Sequence, residues 1–176
     1  MTDVSALAES HDIISIGIEA DAVRRQKHSN KTTFLRVAVV DAAPGAPVEW
    51  SSGAGEIRIV GAPATRAAAV ARVREVARQA TGTPVSAFSL ADLEALSARE
   101  QVTLRALLEE LRGAGLELVS EAPFDVLQDA RRSIEEVNIA GLALSRLTIE
   151  QLPSADTTSW LTRRSEEHTS ELQSRF

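Results

Sequence analysis

Asp41, Gly61 with Ala62, Ser89, Glu121 and Glu150 are the residues at which chemistry would gather if this chain folds as its pattern suggests. Each follows a strand-like apolar stretch and precedes a loop, and in four of these five groups the boundary carries a polar side chain. Carboxylates so placed suit acid–base work, or the gripping of a ligand, provided that the strands deliver them to one rim. Glu121 is the foremost catalytic candidate. It comes directly after Leu116-Glu-Leu-Val-Ser120 and before Ala122-Pro-Phe124, where partial burial would tune it for proton transfer. Asp41, Ser89 and Glu150 are ligand-facing candidates. The plainer reading makes all of them helix N-caps and solvated loop ends: Ser89 is well placed to cap a helix starting at Leu90, and Glu150 to be surface.

Several other chemistries are excluded or disfavoured. The chain has no Cys, which removes disulfides, thiolate zinc sites and cysteine-ligated iron–sulfur clusters. Its three His are His11, His28 and His168, too scattered to predict a metal site. No G-x-S-x-G, H-E-x-x-H or G-x-x-x-x-G-K-[ST] occurs. Net charge is −6, a poor match for phosphate backbones, and two Trp and four Phe without Tyr give no stacking platform, so no nucleic-acid partner is expected. The basic run Arg24-Arg-Gln-Lys-His-Ser-Asn-Lys31 reads as a solvated helix end complementing the dipole. No apolar run has the length of a membrane span, and Met1-Thr-Asp-Val-Ser5 lacks the basic start of a secretory signal, so the expected location is the cytoplasm.

The elements that must position the candidates alternate regularly. A helical segment with Ser10 as cap is expected over residues 1–31. Strands are predicted at Thr32–Val40, Glu56–Gly61, Thr83–Phe88, Leu116–Ser120 and Ser145–Ile149. Between them, helices are predicted over Thr65–Ala80, from Ser89, through Leu104, Leu107, Leu108 and Leu111 at amphipathic spacing, and over Asp129–Ala140. Ser97-Ala-Arg-Glu100 has the form of a capping box. Strand starts lie roughly 25–30 residues apart, the spacing of βα units whose parallel strands need a crossover helix. The fold class is therefore α/β, and the expected architecture is a partial (β/α)8 TIM-type barrel of about five units following an N-terminal helical segment. The alternative is an open doubly wound sheet. Against it, Val60-Gly-Ala-Pro-Ala-Thr65 offers one Gly where a dinucleotide fold places three. The expected organisation is helical segment 1–31, barrel 32–163 and a non-native tail 164–176. That tail contains Arg164-Ser-Glu-Glu-His-Thr-Ser-Glu-Leu-Gln-Ser174, which resembles a translated sequencing adapter, so the natural sequence is expected to break off near Arg163. About three further strands would complete a barrel.

Asp12-Ile-Ile-Ser-Ile-Gly-Ile-Glu-Ala-Asp-Ala-Val-Arg-Arg25, followed by His28, Thr33 and Phe34, is similar to the opening segment of the radical S-adenosylmethionine enzymes of menaquinone and deazaflavin biosynthesis. Aminofutalosine synthase is the nearest likeness. Glu56–Pro63, Ala87–Glu94 and Leu107–Glu117 continue the resemblance in the same order, over most of residues 10 to 150. It implies a barrel, a [4Fe-4S] cluster held by C-x-x-x-C-x-x-C after the first strand, and S-adenosylmethionine bound beside glycines after the second. Here Val40–Trp50 stands at the cluster position without a sulfur ligand, Gly61 matches the first cofactor-binding glycine, and Ala62 replaces the second. No cofactor and no metal are therefore assigned. The resemblance implies a cluster-less relative acting beside the menaquinone route, with an intermediate of that route or a partner subunit as its ligand. Non-radical acid–base catalysis and a scaffolding barrel are the other readings.

Overall fold

Glu56-Ile-Arg-Ile-Val60 alternates charged and apolar side chains, and that alternation gives a strand two unlike faces. In the computed structural model, which describes residues 12–31 and 33–149, these residues are the second strand of an α/β fold with a parallel sheet. The described elements run α1 Ile13–His28, β1 Val37–Asp41, β2 Glu56–Val60, α2 Arg66–Ala80, β3 Val85–Ser89, α3 Leu90–Arg99, α4 Leu104–Ala114, β4 Leu118–Pro123, α5 Ala130–Ile139, β5 Ala143–Leu144 and β6 Leu147–Thr148. They fall into two units: α1 belongs to one, and residues 34–149 lie in the other.

Helix α1 is held locally. Asp12 caps it, accepting from the Ser15 hydroxyl at 2.7 Å and from the Ser15 amide at 3.1 Å, while Ser10 lies outside the described residues. Asp21 pairs with Arg24 and Arg25, and Arg25, Lys27 and His28 occupy the last turn, where positive charge meets the helix carbonyls.

In the second unit the strands follow one another in the order β1-β2-β3-β4-β5, all parallel, with β6 also on β4. The described sheet therefore has no point at which strand order reverses, which is where a doubly wound sheet binds its ligands. Register puts Ile57 beside Val85, and Ile59 beside Ala87, which itself lies beside Val119. These five residues are fully or almost fully buried in one core with Val73 and Val76 of α2, Leu93 and Leu96 of α3, Leu107, Leu108 and Leu111 of α4, and Val137 of α5. Each such large side chain contributes about 1.5–3 kcal/mol on leaving water. Gly115, the C-cap of α4, lets that helix pass close to α2: a Cβ there would lie 2.6 Å from the Ala77 Cβ, and its φ of 110° is one that side chains rarely adopt.

The opposite face of the sheet carries Glu56, Arg58, Ser86 and Ser145. Arg58 Nη2 donates to the Ser145 hydroxyl at 3.2 Å, although β3 and β4 stand between their strands. In a flat sheet the two backbones would lie about 14 Å apart, three strand spacings. A direct bond across that span requires the sheet to curl, with this face on the inside.

Several boundaries differ from expectation, three of them strand boundaries set by pairing. The first strand is only Val37–Asp41, because its partner β2 begins opposite Val37; Thr32 is outside the described residues. β4 runs on through Glu121-Ala122-Pro123, because Leu147 and Thr148 pair with its last two residues. The fifth strand starts earlier, at Ala143, and is broken after Leu144, yet its amides and carbonyls keep bonding to β4 through Ser145 and Arg146. Ser97 and Glu100 form no capping box: Ser97 donates to the Glu94 carbonyl within α3, and Thr103 caps α4.

Candidate functional site

Strand register brings four of the five candidate groups to the carboxyl edge of the sheet. Asp41 closes β1 opposite Val60, so Gly61 lies one step beyond. Ile59 opposite Ala87 makes Gly61 level with Ser89, and Ser89 is opposite Glu121. Glu150 is outside the described residues.

Each group also has a local task. The Asp41 carboxylate accepts from the Ala43 amide at 2.7 Å and shapes the turn after β1, while its carbonyl accepts from Arg72 Nε at 2.8 Å. Arg72 is a buried cation on α2 whose Nη1 reaches Glu75, and whose Nη2 has no partner among the described residues. Gly61 has φ 106°, which a residue with a Cβ rarely adopts, and both Gly61 and Ala62 are exposed. Ser89 caps α3, accepting from the Ala91 amide at 3.3 Å. Beside it, Phe88 is buried in the left-handed region at φ 57°, strain of about 1–3 kcal/mol held at the end of β3. Glu121 lies inside β4, two residues after Val119, and its Oε2 accepts from Arg146 at 2.6 and 3.0 Å.

The loop between β2 and α2 is pinned from α3. Arg99 donates to the carbonyls of Pro63 and Ala64, and Glu100 accepts the Arg66 amide at 2.7 Å, giving the N-terminus of α2 an anionic partner. The Arg66 side chain bonds to Glu110, which holds its pKa above the usual arginine value.

This edge can present polar groups to a small ligand, but the Asp41 carboxylate is bonded to the Ala43 amide and that of Glu121 to Arg146, so the two do not form a contacting acid–base dyad. Its donor set does not fit an iron–sulfur cluster. The loop after β1, residues 42–55, supplies Glu49, Ser51 and Ser52 as its side-chain donors and no thiolate, and hard oxygen ligands are a poor match for cluster iron. Among the described residues no group of three His, Cys, Asp or Glu converges as metal ligands, and no helix is long and apolar enough to cross a membrane.

Sequence reasoning missed the polar set on the inner face. Glu56 and Arg58 alternate with Ile57 and Ile59, and that alternation is the signal that marks them; Ser86, Ser120 and Ser145 carry none. No model of a known protein family matches the chain, and no curated protein matches it.

Proposed function

We propose that this chain is the leading part of a (β/α)8-type barrel related to the radical S-adenosylmethionine enzymes of menaquinone and deazaflavin biosynthesis, aminofutalosine synthase above all, and that it works in the cytoplasm without their cluster. Its carboxyl edge, with Asp41, Gly61, Ala62, Ser89 and Glu121, binds a small-molecule intermediate of that route or a partner subunit rather than initiating a radical. The observation that supports the barrel is the sequential parallel strand order together with the curl demanded by the Arg58–Ser145 bond. The observation that supports the cluster-less reading is the lack of any Cys in the sequence.

A non-catalytic, scaffolding barrel is the second reading, favoured because Asp41, Ser89 and Glu121 each serve a turn, a cap or an ion pair. Anaerobic reconstitution with iron and sulfide, followed by iron analysis and incubation with S-adenosylmethionine and a reductant, tests the central claim. Substoichiometric iron and intact S-adenosylmethionine are expected; a stoichiometric [4Fe-4S] centre or formation of 5′-deoxyadenosine would sink it. Equilibrium binding of the pathway's intermediates then separates the two readings, since a scaffold binds none.

A further inference from the structure

The inner face of the sheet holds more hydrogen-bond donors than the protein uses. Glu56 Oε1 is saturated: it accepts from Arg58 Nε at 2.9 Å, from Arg58 Nη2 at 2.6 Å and from the Ser86 hydroxyl at 2.6 Å. Ser145 accepts from Arg58, which leaves its own O–H to donate. Arg58 Nη1 is engaged by no described residue. Ser120 is 6% exposed, and its hydroxyl is buried with no partner among the described residues. The Ser145 amide bonds to the Val119 carbonyl, and Val119 pairs with Leu144, so the next step of the register sets Ser120 beside Ser145 on the face that Arg58 reaches.

Two hydroxyls and a guanidinium edge therefore converge from three strands, and one of the hydroxyls, unpartnered and buried, is costly unless something accepts its proton. We propose that Ser120, Ser145 and Arg58 form a receptor for one carboxylate group of a small-molecule ligand on the inner face of the sheet. Donors on adjacent strands match the two oxygens of a carboxylate, and the planar guanidinium matches its plane. Charge sets the class. Glu56 already balances Arg58, so any anion adds uncompensated charge beside the Glu56 carboxylate, one unit for a carboxylate and about two for a phosphate dianion, and the smaller charge is the less costly. The receptor needs only the curl of the sheet and is independent of the kinship proposed above.

Titration of the whole chain with sodium acetate, followed by NMR at the Ser120 and Ser145 amides and the Arg58 Nε–H, reads this directly, with sodium chloride and sodium phosphate as companions. Saturable shifts with acetate alone are expected, and Ser120→Ala weakens the acetate affinity about tenfold or more. Ser120→Ala also separates binding from a structural role, because removing an unpartnered buried hydroxyl leaves the melting temperature unchanged or raised while acetate affinity falls. Should that variant fail to fold, Ser145→Ala tests the acetate affinity alone, since it also deletes the bond from Arg58 and lowers the melting temperature by itself. No saturable acetate response, an equal or stronger response to phosphate, or acetate binding unaltered in the variants overturns the assignment.

Discussion

Replacing Arg58 by methionine keeps most of the side-chain volume and removes the charge from the inner face of the sheet. The Glu56 side chain is 6% exposed and that of Arg58 16%, so their 2.6 Å contact is shielded from water. The variant leaves a buried carboxylate with Ser86 as its remaining described donor, a defect that costs about 3–5 kcal/mol. It also deletes the bond to Ser145, worth about 1 kcal/mol. Against a total stability of about 5–15 kcal/mol, such a loss moves the unfolding midpoint far down the denaturant axis. Urea unfolding followed by far-UV circular dichroism measures it, with equal slopes required for comparison. Glu56→Leu combined with Arg58→Met removes both charges and should recover most of the loss, since an apolar pair of similar volume replaces a buried ion pair at little cost. A cost below about 1 kcal/mol for Arg58→Met, the size of an exposed pair, would refute the reasoning: the pair would then be solvated and the sheet not curled over it.

Leu107→Ala, at a side chain fully buried between helices and sheet, should cost about 2–5 kcal/mol in the same assay. Gly61→Ala forces a Cβ onto a backbone at φ 106° and should cost about 1–3 kcal/mol, with the helix signal retained before unfolding. Helix α1 should lose its cap in acid. The Ser15 hydroxyl, and then the Ser15 amide, hold the Asp12 pKa below the usual carboxylate range. A lowered folded-state pKa stabilises at pH above the unfolded value and is lost as pH falls through the folded one. Amide shifts of residues 13–16 should therefore move to coil values only in acid, and Asp12→Asn should flatten that dependence; fraying at neutral pH would contradict it.

Local signals made much of the architecture legible. Thr65 and Ser89 announce helix starts through their side-chain oxygens, and the leucines of α4 announce a buried stripe through their spacing. The βα alternation announces a parallel sheet, and the carboxyl-edge candidates follow from strand ends alone. What failed was non-local. Ser97-Ala-Arg-Glu100 has the letters of a capping box, yet Glu100 serves the start of α2, 34 residues earlier in the chain. Glu121 looks free after an apolar run, but Arg146, 25 residues away, takes its carboxylate. Ser86 and Ser145 are unremarkable in the chain, because their partners Glu56 and Arg58 lie 30 and 87 residues away.

By itself the sequence determined the helices, the parallel strands and the absence of thiolate chemistry, since capping, periodicity and residue type act over a few residues. The tertiary structure alone decided that strand order runs without reversal, that Arg58 reaches Ser145, and that the inner face carries donors in surplus. Hydrogen bonds between strands depend on register and curvature, which arise only when distant segments pack.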